Sequence, residues 1–132
     1  MEINHLAVVA AAVSNMVVGA LWFSPALFYN AWKESAGVTE EQIQNASPAR
    51  MYGLGFLAAL VIAYNLAAFL ADPGTDLAWG AAAGFLTGFG FIAMMIMAIA
   101  AFEQRSWKYI LVNGGYATVC LTIMGLILGA WR

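Results

Sequence analysis

The stretch "LAWGAAAGFLTGFGFIAMMIMAIAAF", residues 77–102, contains no Asp, Glu, Lys, Arg or His. Its reading decides the fold. As an α-helix it extends for ~39 Å at ~1.5 Å per residue. A bilayer's hydrocarbon core is ~30 Å thick and needs ~20 apolar helical residues. The stretch is long enough to cross with some tilt, or with one end outside the core.

Three more stretches have the same character: residues 6–23, 49–71 and 109–131, with Arg50 the only charge and at an edge. Lipid cannot satisfy free backbone groups, so helices are the expected form. A β-barrel shows alternating segments about half as long, and none is present. Hydrophobic residues make up 64% of the 132-residue chain and charged residues 9%. Soluble domains average ~45–50% and ~25%, so a soluble bundle lacks the charge to cover its surface. The expected fold is therefore all-α: four transmembrane helices in a compact bundle, one transmembrane domain over residues 1–132.

The first stretch follows "MEINH", which carries Glu2 and no Lys or Arg. A secretory signal has a positive n-region and a shorter apolar run, so this reads as a retained span. The connections carry helix-end signals. Asn4 and Asp76 suit N-caps, and Ser47–Pro48 suits an N-cap with proline at the first helical position. Thr39 with Gln42 three residues on is a capping-box pattern that suits a short surface helix from Glu40 to about Asn45, with a flexible polar loop as the competing reading. "DPGTD", residues 72–76, and "EQRSWK", residues 103–108, are turns.

Lys33, Arg50, Arg105 and Lys108 fall in or beside the first and third connections, and Arg132 alone lies at the other end. The positive-inside rule places those connections in the cytoplasm and both termini outside. Net charge is −2 with no basic patch, which argues against nucleic acid. Cys120 stands alone, so no internal disulfide and no CxxC motif exists.

Small residues recur every fourth position. Gly55, Ala59, Ala63, Ala67 and Ala71 do so in the second stretch, Gly80, Gly84 and Gly88 in the third, Gly125 and Gly129 in the fourth, and Ala11, Asn15 and Gly19 in the first. Apolar side chains gain little by leaving lipid for one another, so close backbone approach along such stripes is expected to drive helix pairing. Asn15, Asn65, Thr87, Asn113, Tyr116, Thr118 and Thr122 are the polar residues inside the spans. They are candidates for interhelical hydrogen bonds or for a polar lining. Asn15 and Asn113 belong to one half of the bilayer and Asn65 to the other, which disfavours one three-Asn cluster.

No Asp, Glu, Lys or Arg sits near the middle of a span. Proton-coupled carriers place a titratable group there, so a proton-driven exporter is disfavoured while a passive channel is not. Met94, Met95 and Met97 do not share a helical face as Cu(I) ligands would. His5, the only histidine, suits an interfacial hydrogen bond. No nucleophile, base or metal set converges, so no catalytic residue, metal or cofactor is expected.

"GALWFSPALF", residues 19–28, ends the first span. Trp22, Ser24, Pro25 and Trp32 mark an interfacial bend, with Ser24 capping or kinking the chain. An interfacial helix is expected to follow to about Ser35. Leu27, Phe28, Ala31 and Trp32 share one face, and Asn30, Lys33 and Glu34 the other.

The block "NMVVGALWFSPALFYNAWKESAGVT" resembles the opening of the bacterial family labelled domain of unknown function 1761, through Gly19, Leu21, Trp22, Phe23, Ser24, Pro25, Leu27, Phe28 and Trp32. "YGLGFLAALVIAYNLAAFL" is similar to its second span, and "FEQRSWKYILVNGGYATVCLTIMGLILGAW" to its closing block. Tyr29 stands where the family often has glycine. The resemblance implies a small integral protein of the bacterial (inner) membrane with four spans, and it carries over no catalytic or binding residue. The leading expectation is a non-enzymatic packing or assembly role among lipids, with a homo-oligomer as one form of it. The alternative is an oligomeric passive channel or uniporter lined by Asn15, Thr87, Asn113, Tyr116 and Thr118. A membrane enzyme ranks third.

Overall fold

The computed structural model describes residues 2–132. Every element among them is helical, and four helices are long and apolar enough to cross a membrane. The first span is α1 (His5–Trp22). Two short helices follow, α2 (Tyr29–Ala36) and α3 (Glu40–Gln44). The second span is α4 (Pro48–Phe69). The third runs over Leu77–Phe102 as α5 (Leu77–Thr87), a π-helical segment (Gly88–Ala93) and α6 (Met94–Phe102). The fourth is α7 (Trp107–Ala130).

The caps follow from local chemistry. The Asn4 side chain accepts from the amides of Leu6 and Ala7. Ser47 accepts from Arg50, Asp76 from Trp79 and Ser106 from Tyr109, each satisfying an amide that the first helical turn leaves free. Thr39 and Gln42 form the full capping box.

The fourth span is the centre of the bundle. It packs along the third span and along the first, and the second span lies chiefly on the first while also reaching the fourth. The second and third spans are consecutive in sequence yet hardly touch. The small stripe of the second span is buried at Ala59, Ala63 and Ala67, the last two in one cluster with Ala7, Val8 and Ala11 of the first.

The third and fourth spans meet backbone to backbone. A methyl group at Gly80 would collide with the carbonyl of Gly125, and one at Gly125 with the carbonyl of Gly80. At Gly84 it would collide with the Leu121 carbonyl; at Gly88 it would lie 2.8 Å from the Ala117 oxygen and at Gly129 2.7 Å from the Asp76 oxygen.

The π segment keeps this seam going. Four residues past Gly88 comes Ile92, too large for the interface; five residues past it comes Ala93. The wider i→i+5 turn brings Ala93 inward. Ala93 is buried, and Gly114 of the fourth span faces its Cβ at 3.3 Å from where a methyl would stand. Ala100, two ordinary turns further on, is buried as well. Deleting Gly90, which faces open space, is therefore expected to leave the bundle folded. The chain then closes as an uninterrupted α-helix with the present Ala93 four positions after Gly88. Deleting Thr118 from the fourth span, which has no wide turn to absorb the loss, is expected to abolish folding. Helical circular dichroism and the unfolding midpoint in detergent check this pair, and equal loss from both deletions would refute the account.

Candidate functional site

The bend after the first span is the most densely built polar and aromatic region. Pro25 has no N–H to give the Leu21 carbonyl. The Ser24 hydroxyl donates to that carbonyl instead, at 2.7 Å, alongside the Ser24 amide at 3.2 Å. Ser24 thus closes the C-terminal end of α1 and does not cap α2, whose N-terminal neighbour Phe28 makes no side-chain cap. The interfacial helix consequently starts at Tyr29, after a turn knit by Leu27 and Tyr29 amides donating to the Ser24 carbonyl.

Two glycines let aromatics of the first and fourth spans interlock. The Trp22 ring lies on Gly115, where a methyl would stand 3.0 Å from it, and its indole N–H donates to the Val112 carbonyl at 3.0 Å. Reciprocally, Tyr116 lies on Gly19, where a methyl would stand 2.8 Å from the phenol oxygen, and its hydroxyl donates to the Asn15 carbonyl at 3.1 Å. Phe23 packs edge-on to Tyr116 at 5.0 Å and to Trp32 at 5.8 Å, and Phe28 lies 4.6 Å from Trp22. Gly19 therefore receives a side chain, and so does Gly55, which faces Met16 at 3.6 Å. Of the glycines picked out as packing positions, Gly80, Gly84, Gly88, Gly125 and Gly129 make the backbone-close seam.

The polar span residues do not converge. Asn65 donates to the Val61 carbonyl, Asn113 to Tyr109, Thr118 to Gly114 and Thr122 to Thr118, all one turn back in their own helices. Thr87 donates to Ala83 and Gly84. Tyr116 is the one of this set that donates across to another helix, and Asn15 takes part through its main-chain carbonyl. Of the two roles open to Asn65, Thr87, Asn113 and Thr118, polar lining or interhelical hydrogen bonding, their donor hydrogens serve neither, going to backbone acceptors within their own helices. The structure does bring Asn65 and Thr87 together, on opposite walls of a groove of about 170 Å³ between the second and third spans.

Charge gathers where the first and third connections meet. Lys33 pairs with Glu40, Lys108 with Glu34 at 3.4 Å, and Arg105 with Glu103 at 3.9 Å. Arg105 also donates to the Ala36 carbonyl at 3.3 Å and stands over the Tyr109 ring. Exposed pairs of this kind contribute ~0–1 kcal/mol each and do not hold the bundle; of these contacts, Lys108–Glu34 and the Arg105 bond to Ala36 link α2 to the third connection and the start of α7. At the opposite end Arg132 donates to the carbonyls of Leu70 and Asp72, closing the end of the second span, and His5 shares a 2.9 Å hydrogen bond with the Tyr64 hydroxyl. No group of His, Cys, Asp and Glu suited to a metal ion occurs among the described residues.

Sequence reasoning passed over Val112, Gly114 and Gly115 as site residues. The adjacent glycines were a usable signal, since each serves a different neighbour: Gly114 the third span, Gly115 the first.

Over residues 6–129 the chain matches the family described as protein of unknown function (DUF1761), and it belongs to that family. No curated protein and no solved structure matches it. Together with four helices of membrane-crossing length and apolarity, this makes it a multi-pass membrane protein of that family.

Proposed function

We propose that this DUF1761 protein is a non-enzymatic membrane component whose work is packing and assembly within the bilayer. The observation that carries the reading is the glycine seam: the third and fourth spans approach so closely that no passage runs between them. Polar side chains along the spans are turned onto their own backbones, which suits structural parts better than a solute path. The protein then acts through its outer surfaces. Small stripes are consumed inside the protomer, so self-assembly in a homo-oligomer would use lipid-facing surface such as that around Gly53, where nothing stands against the glycine. The clustering of Lys33, Arg50, Arg105 and Lys108 at one end supports cytoplasmic first and third connections with both termini outside.

Reconstitution into liposomes tests this. Ion and small-solute flux is expected to equal that of protein-free liposomes, and light scattering in mild detergent is expected to give more than one protomer per particle. Flux that rises with protein and falls on Asn113→Leu, with the fold retained, would establish an oligomeric channel instead. A strict monomer would remove the assembly reading.

A further inference from the structure

We propose that the groove between the second and third spans is a binding site for a small lipid-soluble molecule carrying a hydroxyl donor on an apolar body. The groove exists because these two spans hardly touch, each packing on the first or fourth instead. Its walls are Val61, Ile62, Leu66 and Phe69 on one side and Phe91 and Ile92 on the other, with Leu121 of the fourth span at its base.

Two polar side chains interrupt this apolar lining, Asn65 and Thr87. Their hydrogen bonds determine what they can offer. The Asn65 amide nitrogen donates to Val61 at 2.8 Å, and the Thr87 hydroxyl spends its proton on Ala83 and Gly84. What remains on the groove surface is acceptor capacity: the Asn65 carbonyl oxygen and the Thr87 oxygen lone pairs. Asn65 is exposed on the outer surface of a span, where hydrocarbon offers no donor. An occupant that supplies an O–H satisfies it; a plain acyl chain does not.

Size selects among occupants. The groove measures about 170 Å³. A cavity of ~150 Å³ takes one aromatic ring, whereas a helix with its side chains is ~10–12 Å across. The groove has room for a ring or a short chain segment, and a helix from a second copy could enter it only by a side chain. The inference is independent of the assembly reading above, since a protomer of any oligomeric state carries the groove.

The test uses the full chain in nanodiscs and two photoactivatable diazirine probes of equal length, a medium-chain alcohol and the matching alkane. Mass spectrometry maps the labels. The alcohol is expected to label groove residues about fivefold more than the alkane does, the equivalent of ~1 kcal/mol. Asn65→Leu is expected to bring that ratio close to one while total alkane labelling stays. Ile62→Phe, which fills the groove and keeps Asn65, is expected to remove labelling by both probes. Equal labelling by alcohol and alkane in the wild-type chain, or an unchanged ratio in Asn65→Leu, would overturn the proposal. So would ready disulfide formation between protomers carrying Phe91→Cys, because the groove would then be a subunit contact.

Discussion

Replacing Gly84 with leucine is expected to separate the third and fourth spans and to unfold the bundle in mild detergent. Gly84 faces the Leu121 carbonyl and the Thr122 main chain, and even a methyl group there collides with backbone. Backbone cannot rotate aside as a side chain tip can, so the helices must move apart. Such movement breaks the whole seam, because Gly80, Gly88, Gly125 and Gly129 depend on the same spacing. Overpacking in a core costs ~1–3 kcal/mol when side chains can adjust. Here the cost of Gly84→Ala is expected at the upper end of that range, and that of Gly84→Leu beyond it. Lipid makes the loss harder to recover, since separated apolar helices are as well solvated by hydrocarbon as by each other.

The comparison that gives this meaning is with Gly53 and Gly90, which have open space where a methyl would go. Alanine in a helix is favoured over glycine by ~0.5–1 kcal/mol on conformational entropy. Gly53→Ala and Gly90→Ala are therefore expected to be neutral or slightly stabilising. Reversible unfolding in mixed detergent micelles reads all four variants. Gly84→Leu with wild-type stability would sink the seam as the main source of cohesion, and so would a Gly90→Ala chain as damaged as Gly84→Ala.

The same seam shows what a sequence of this kind reveals. Gly80, Gly84 and Gly88 announce a small-residue face because the α-helical period repeats at four. The continuation through Ala93 and Ala100 is hidden, because it requires a wide turn that no residue type encodes. Span limits and caps are legible since they depend on neighbours in sequence: Asn4, Thr39 with Gln42, Ser47 and Asp76 all act within three residues of themselves. Partner identity is not legible in this way. Nothing local says that the stripe of the second span meets the first span, or that second and third spans stay apart. The groove with Asn65 and Thr87 follows from that order of helices, and so could be seen only in three dimensions. The side-chain amides of Asn65 and Asn113 take carbonyls of their own helices for a simple reason: a carbonyl one turn back is always within reach, whereas a partner on another helix must be placed there.

Removing the Trp22 ring is the second large perturbation, and its size can be argued in parts. In water, truncating a buried tryptophan or phenylalanine costs ~3–5 kcal/mol, of which a share is transfer from the core to solvent. At this bend the ring would rest in hydrocarbon or headgroups in either state, so much of the transfer share drops out. What remains is packing on Gly115, Phe28 and Tyr116 and the indole bond to Val112. Trp22→Ala is accordingly expected to cost about 2–3 kcal/mol, below the range for water. Trp22→Phe keeps a ring over Gly115 and gives up the hydrogen bond, worth ~0.6–1.7 kcal/mol in membranes. The alanine variant should also loosen the bend, because Phe28, which leads into α2, packs on this ring. A cysteine placed at Trp32 in the Trp22→Ala background is then expected to react faster with a water-soluble thiol reagent than in the Trp22→Phe background. Equal stability and equal labelling of the two variants would mean that the ring merely lies against the lipid. The bend would then owe its shape to Ser24 and Pro25 alone.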